Sequence, residues 1–337
     1  MELSNRNVTV YGAYGHTGRF VVAALRERGY VPVLSGRDPQ KLAAMAGPHE
    51  VRPAAVDDPA ALDRALAGSV AVVNSAGPFA ATAGPVIEAA LRAGIPYVDV
   101  AAEIEANADT FELYADRAKA AGVAVVPAMA FYGGLGDLLA TAAMGDWTAA
   151  DRVDVAYGLD SWHPTAGTRL SGDVSRQRRG GRRVRYAGGR LEYHDEAPST
   201  ARWSFPAGER DVVAGFSMAD IVTVPSHLPV AEVRSYMTVE AARDVVAPDT
   251  PAPVAADPSG RSAQSFVVDV VVHRGAEQRR AAASGQDIYA VSAPLAVEAV
   301  DRVLTGRTRT VGVASAGATF DAPDFLATLG IAGVIDL

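Results

Sequence analysis

An α/β architecture, with a doubly wound Rossmann-type parallel sheet and a second α+β domain built on a largely antiparallel sheet, is predicted from three observations. Near the start of the chain an apolar alternation runs into three evenly spaced glycines and then into an amphipathic stretch. Strand-like and helix-like segments alternate from there to about residue 130, the rhythm of right-handed β-α-β units. Near Asp151 that rhythm gives way to short runs such as DVAYGL, RRVRYAG, RLEYHD and ARWSF, which read as antiparallel strands.

The first element is the most informative. Val8 and Val10 alternate with Thr9 and Tyr11, Gly12, Gly15 and Gly18 follow, and RFVVAALRERG keeps a helical period until Gly29. A strand, a glycine turn and a helix in that order suit a dinucleotide pyrophosphate. Gly12 permits the tight turn, Gly15 admits the phosphates, Gly18 lets the helix pack on the strand, and the helix start offers amide donors. Glycine triplets also mark plain turns, but the flanking strand and helix supply the context the motif needs. Tyr14, His16 and Thr17 join the cofactor set, although His16 reads equally well as an exposed residue at a helix start.

The second strand, Val31 to Ser35, ends in Ser35-Gly36-Arg37. An NAD enzyme usually carries a carboxylate there, whereas a hydroxyl and a guanidinium suit the 2′-phosphate of NADP. Asp38 is expected to cap the next helix ahead of Pro39. A weak third strand ends near Asp57, also a cofactor candidate. After the fourth strand, Val70 to Val73, the loop NSAGPF brings Asn74, Ala76, Gly77, Pro78 and Phe79 to the C-terminal sheet edge, where such folds bind their cofactor. Asp99 and Glu103 flank the end of the fifth strand. Asp99 is a catalytic candidate, with helix capping as the alternative. Phe131 and Tyr132 close the sixth strand, where a nicotinamide would rest. Phe131 is expected to pack on the ring, and Tyr132 to donate a proton or serve as wall.

In the second region, His163 in DSWHPTAGT is a candidate general acid, with a structural loop residue as the alternative. Arg176 to Arg190 holds seven arginines and reads as a solvated helix-to-strand turn, with arginines reaching over the cleft as another option. Val246 to Gly260, rich in proline and alanine, reads as a long surface loop or a partly disordered segment. Helical period returns at Asp287. The expected domains are 1–132 with 287–337 for the cofactor and 133–286 for the substrate.

Composition narrows the function. The chain has 337 residues, a net charge of −8 and no cysteine, which excludes thiol chemistry and any global attraction to nucleic acid. Only Lys41 and Lys119 are available for Schiff-base chemistry. Six scattered histidines show no metal-ligand spacing, so no metal is expected. No tyrosine is followed by a lysine four residues on, and no G-x-S-x-G elbow appears. The glycines and prolines of Gly68 to Ile87 break any membrane span, and the first strand leaves no room for a signal peptide, so a cytoplasmic location is expected. Expected partners are a small-molecule substrate and, through the second sheet, a second copy of the chain, with neither nucleic acid nor membrane.

GAYGHTGRFVVAAL, LSGRDPQKLAAM, NSAGPF, PYVDVAAE and AFYGGLGDLLA together resemble the saccharopine dehydrogenase-like family, which includes saccharopine reductase and the trans-acting enoyl reductases. The likeness covers Val8 to about Leu139 and, more loosely, Asp287 to Leu329, where GVASAGATF resembles the closing segment of the enoyl reductases. HPTAGT resembles the family's glycine-threonine turn. The resemblance implies a first domain split in sequence and NADP-dependent reduction of a carbon–nitrogen or carbon–carbon double bond. Tyr132 and Leu135 depart from the aspartate and proline that enoyl-reductase-like members carry there, while Phe131 and Asp137 fit. A cofactor-sensing regulator without turnover, and opine-type reductive condensation with Arg169 or Arg176 on a carboxylate, are the alternatives.

Overall fold

The computed structural model describes residues 6–330 and 332–336. The domain assignments of residues 1–5, 331 and 337 lie outside the described residues. The first sheet is built by β1 (Asn7–Tyr11), α1 (His16–Glu27), β2 (Val31–Gly36), α2 (Pro39–Met45), β3 (Val51–Pro53), α3 (Pro59–Leu66), β4 (Ala71–Asn74), α4 (Phe79–Ala93), β5 (Tyr97–Asp99), α5 (Ile104–Ala121) and β6 (Ala124–Val126). Val8, Val10, Val72 and Val73 are wholly buried, as central parallel strands covered on both faces require. Asp38 accepts from the amides of Gln40 and Lys41 at 3.0 and 3.1 Å and starts α2 ahead of Pro39.

A kinked turn, Phe131–Leu135, carries the chain out of this sheet. Tyr132 is extended there, and Gly133 has φ 95°, where an added Cβ would strike Ala128 and Ala219 at 2.8 and 2.9 Å. Next come α6 (Gly136–Met144), β7 (Ala150–Leu159), α7 (Ala166–Arg178), β8 (Arg183–Ala187), β9 (Arg190–His194), β10 (Ser199–Phe205), β11 (Gly208–Ala214), α8 (Asp220–Thr223), β12 (Val230–Thr238), α9 (Val239–Val246), β13 (Ser265–Arg274) and β14 (Glu277–Gln286). The return segment holds α10 (Ser292–Leu304), β15 (Gly312–Val313), α11 (Ala316–Thr319), α12 (Ala322–Thr328) and β16 (Ala332–Asp336).

Among the described residues the first sheet runs β3-β2-β1-β4-β5-β6-β15, with all its pairs parallel. The second runs β10-β11-β12-β7-β13-β14-β16, with the β8–β9 hairpin attached to β12. Its pairs are antiparallel except β7 with β12. The strand β11 and the helices α6 and α7 were not assigned individually from sequence.

The return segment serves both sheets. α10 packs on α1, β4 and β5, and β15 extends the first sheet along β6. Yet α11 and α12 pack on α6, and β16 pairs antiparallel with β14. This corrects the expectation that 287–337 joins the cofactor domain as a block. β14 would otherwise offer an unpaired sheet edge, and β16 covers it. Residues 247–260 contain neither helix nor named strand. Arg169 pins them to α7 through the carbonyls of Ala247 and Thr250 at 3.1 and 2.7 Å.

Candidate functional site

The C-terminal edge of the first sheet, the kinked turn, α7 and residues 215–218 enclose one large cleft of about 1280 Å³. At one end lies the glycine turn. Gly12 has φ 86°, its amide donates to the Ser35 carbonyl at 2.8 Å, and a Cβ there would meet Ala76 at 2.8 Å. A Cβ at Gly18 would come within 2.3 Å of the Gly12 carbonyl, so Gly18 lies beneath the turn and allows α1 to pack against it. Gly15 is the N-cap of α1 and no side chain caps its amides. At α4 the corresponding position is filled, because Phe79 and Ala80 donate their amides to the Glu103 carboxylate at 2.7 and 3.0 Å. The start of α1 is therefore the one of these two left with free donors for a pyrophosphate. The residues present fit a dinucleotide.

Of the predicted residues, Gly12, Tyr14, Gly15, His16, Thr17, Arg37, Asp57, Ala76, Gly77, Pro78, Phe79, Phe131 and Tyr132 line the cleft. Arg37 is exposed and makes no hydrogen bond or salt bridge, so its guanidinium is available to a phosphate. Tyr14 lies over Gly36, where a Cβ would meet its ring at 2.9 Å. His16 sits edge-on between Phe20 and Tyr289, with centroids 5.4 and 5.2 Å away, and burial pulls its pKa down. Its Nε2 is buried without a partner.

Besides Gly18, which lies beneath the turn, four predicted residues do not face the cleft. The Ser35 hydroxyl is wholly buried and donates to the carbonyl of Arg52, its register partner on β3, at 2.8 Å. Asn74 is wholly buried; its amide group donates to Thr82 and Tyr97 at 3.2 and 3.1 Å, and its oxygen accepts from Ala76 N at 3.0 Å, which shapes the cis Gly77–Pro78 loop from below. Asp99 accepts from Tyr97 Oη and the amides of Ala101 and Ala128 at 2.8, 3.0 and 2.8 Å, a structural node at the end of β5. Burial pushes its pKa up to about 6 against those hydrogen bonds. His163 lines a separate hollow of about 280 Å³ with Asp160, Pro253 and Gln264, and Trp162 lines both that hollow and the cleft. These placements correct the expectations for Ser35, Asn74, Asp99 and His163.

Tyr132 does face the cleft. Its ring stands 4.7 Å from Phe131, 4.8 Å from Tyr157 and 5.1 Å from Trp162. Its hydroxyl is buried without a hydrogen-bond partner, and burial holds its pKa well above the usual tyrosine value. Behind it, Tyr157 donates to Asp220 at 2.6 Å.

Sequence reasoning missed the contribution of α7 and Tyr289. Thr165 caps α7, and Thr168, Ser171, Arg176 and Arg179 face the cleft. Ser171 lies so close to Gly77 that a Cβ there would meet its Oγ at 2.7 Å. Tyr289 Oη joins Trp162 Nε1, Thr165 N, Thr168 Oγ1 and the His163 carbonyl at 3.0–3.3 Å, fastening the start of α7 to the return crossing. The threonine cap in HPTAGT signalled that helix start; nothing local marked Tyr289.

A glycine turn with free amide donors, an unpaired arginine after β2 and an aromatic far wall define a two-lobed protein with a dinucleotide-binding Rossmann lobe. Residues 8–126 match the family model described as saccharopine dehydrogenase NADP binding domain. Along its whole length the fold is that of saccharopine dehydrogenase (L-Glu forming) from Saccharomyces cerevisiae, with TM-score 0.65, 12% identity, and 99% of this chain and 100% of that one covered. GenD2 from gentamicin A biosynthesis, solved with NAD, gives TM-score 0.47 at 14% identity over 100% and 98% of the two chains. Triphenylmethane reductase from Citrobacter sp., solved with NADP(H), gives 0.31 at 22% identity over 38% of this chain and 49% of its own. No curated protein matches the chain. Among the described residues no helix is long and apolar enough to cross a membrane, and no cluster of ligating side chains suits a metal ion.

Proposed function

We propose that the protein is an NADP(H)-dependent reductase acting on a C=N or C=C bond of a small molecule held between the lobes. The observation that carries this reading is the placement of Tyr132, with its unpartnered hydroxyl, on the same cleft as the open glycine turn. NADPH bound in this cleft supplies hydride. The amides at the start of α1 hold the pyrophosphate, Arg37 holds the 2′-phosphate, and Phe131 packs at the nicotinamide end. Tyr132 is protonated at rest because burial disfavours its anion; it would hydrogen-bond the acceptor atom of the double bond, give that atom its proton as the other atom receives hydride, and regain a proton from water. α7 closes the opposite side and keeps water away from that hydroxyl.

The test is acceptor-dependent oxidation of NADPH over a panel of imines and conjugated carbonyl compounds. Turnover that falls at least about tenfold in Tyr132→Phe supports the reading. Tight NADPH binding with no acceptor consumed, and no effect of Tyr132→Phe, overturns it in favour of a cofactor-sensing role. That second reading draws support from Asp99 and His163 both lying off the cleft. Reductive condensation with an amino acid would use Arg176, which faces the cleft beside its partner Asp173 at 3.4 Å.

A further inference from the structure

We infer that the substrate half of the cleft takes a planar or aromatic carboxylate, with its apolar body on the wall formed by Tyr132, Trp162 and Phe216 and its carboxylate at Arg183. The inference rests on the reductase reading and names its substrate class. Tyr132 stacks on Trp162 at 5.1 Å with an interplanar angle of 32°, and Trp162 meets Phe216 at 6.1 Å. This strip begins beside Phe131 and ends one residue from Gly215. The Gly215 carbonyl accepts from Arg183 Nη2 at 2.6 Å, and the Ala214 carbonyl accepts from the same nitrogen at 3.3 Å. Those two bonds fix the guanidinium at the far end of the aromatic strip and leave Nε and Nη1 unpaired.

Charge separates Arg183 from Arg176, Arg178 and Arg179, the arginines at the end of α7. Arg176 pairs with Asp173, and Arg178 with Asp109 at 2.8 Å. Arg179 has only a loose partner, Glu105, at 3.6 Å, and neither Glu105 oxygen makes a hydrogen bond. Among the described residues Arg183 has no carboxylate partner, although it is part-buried and lies near Arg179. Two neighbouring cations, one uncompensated, attract an oxyanion in a partly dry site, and a guanidinium with two free donors presents a fork to a carboxylate. The carboxylates of this half are occupied: Glu103 holds the start of α4 and Asp173 holds Arg176. A cationic substrate has no free counter-charge there.

The probes are 2-naphthoate and its neutral isostere 2-naphthamide, titrated calorimetrically into protein saturated with NADP⁺. Naphthoate is expected to bind one site at least about tenfold more tightly than the amide. Arg183→Met should remove that preference while leaving NADP⁺ and amide binding unchanged. Because Arg183 also steadies residues 214 and 215, Arg183→Lys is expected to recover part of the preference and Arg179→Met to reduce it. Equal binding of acid and amide, or a preference untouched in both Met variants, overturns the inference. So does failure of naphthoate to bind protein that holds NADP⁺ normally. Failure of NADP⁺ itself to bind overturns the reductase reading, and this inference with it.

Discussion

Arg37 and Gly15 lie at two separate points of the cleft, each with a proposed role toward the cofactor. Arg37 stands unpaired after β2, whereas Ser35, its expected helper, is turned into the sheet against Arg52. The 2′-phosphate preference therefore falls on the guanidinium alone. Arg37→Ala is expected to weaken NADPH by about 1.5–3 kcal/mol and to leave NADH nearly unchanged. Titration of both cofactors checks this, and equal losses would remove Arg37 from the site. At Gly15 an added Cβ would meet the Gly12 carbonyl at 3.1 Å, tight without being prohibitive. The branches of valine would extend over the amides at the start of α1. Gly15→Val should fold and melt cooperatively but show no rise in Tm with NADPH. A rise equal to wild type would contradict the phosphate-turn reading.

Between elements, the contact of α1 with α10 joins the two sequence-distant parts of the cofactor lobe through a buried ionic cluster. Glu298, 1% exposed, accepts from Arg302 Nε at 2.6 Å and pairs with Arg28 at 2.5 Å. Arg302, also 1% exposed, reaches Asp324 at 2.7 Å and lies over the Phe325 ring at 4.8 Å, which ties α12 to the same cluster. Removing one member leaves a buried charge without its partner, and that costs more than the pair contributes. Glu298→Ala is expected to lose about 3–5 kcal/mol in urea unfolding. The double change Glu298→Leu with Arg302→Met should lose clearly less. A Glu298→Ala protein as stable as wild type would show that the cluster does not hold the return segment in place.

At the scale of the whole molecule, buried titratable groups sit where the two lobes and the return segment meet. Asp137, wholly buried, accepts from His227 Nε2 and Gly317 N, both at 2.7 Å, which joins α6 to the segment after α8 and to α11. Burial pulls the His227 pKa down, but the charge and hydrogen bond of Asp137 outweigh it, and the net shift is upward. Asp220 is pushed up to about 6 by burial, against the hydrogen bond from Tyr157. Both groups hold more protons folded than unfolded. Their contribution is complete below the unfolded pKa and is lost as pH rises through the folded one. For Asp220 that window runs from its ordinary value of 3.8 to about 6, and for His227 it opens at 6.5 and continues upward. Unfolding free energies measured across this range should show Asp220→Asn flattening the lower slope and His227→Gln the upper. Unchanged slopes in either variant would refute that assignment.

Local pattern alone determined the order of strands and helices through residue 126, the glycine turn, the Asp38 cap and the place of Arg37 just after β2. Each rests on residues adjacent in sequence, whose periodicity and turn chemistry act before any tertiary contact forms. Tertiary structure decided which side chains face the cleft. Ser35 and Asn74 lie on the right strands, but their orientation depends on Arg52, Thr82 and Tyr97. Asp99 had the right chemistry at the right strand end, and its carboxylate is engaged by amides that only the folded sheet brings near. β16 escaped the domain division because strand pairing depends on which edge is left open, a property of the assembled sheet. The Arg183 cation at the end of the aromatic wall arises in the same way, from four segments with no mutual signal in sequence. Short-range physics fixes an element and its turn, whereas a binding wall is set by long-range packing that no single stretch encodes.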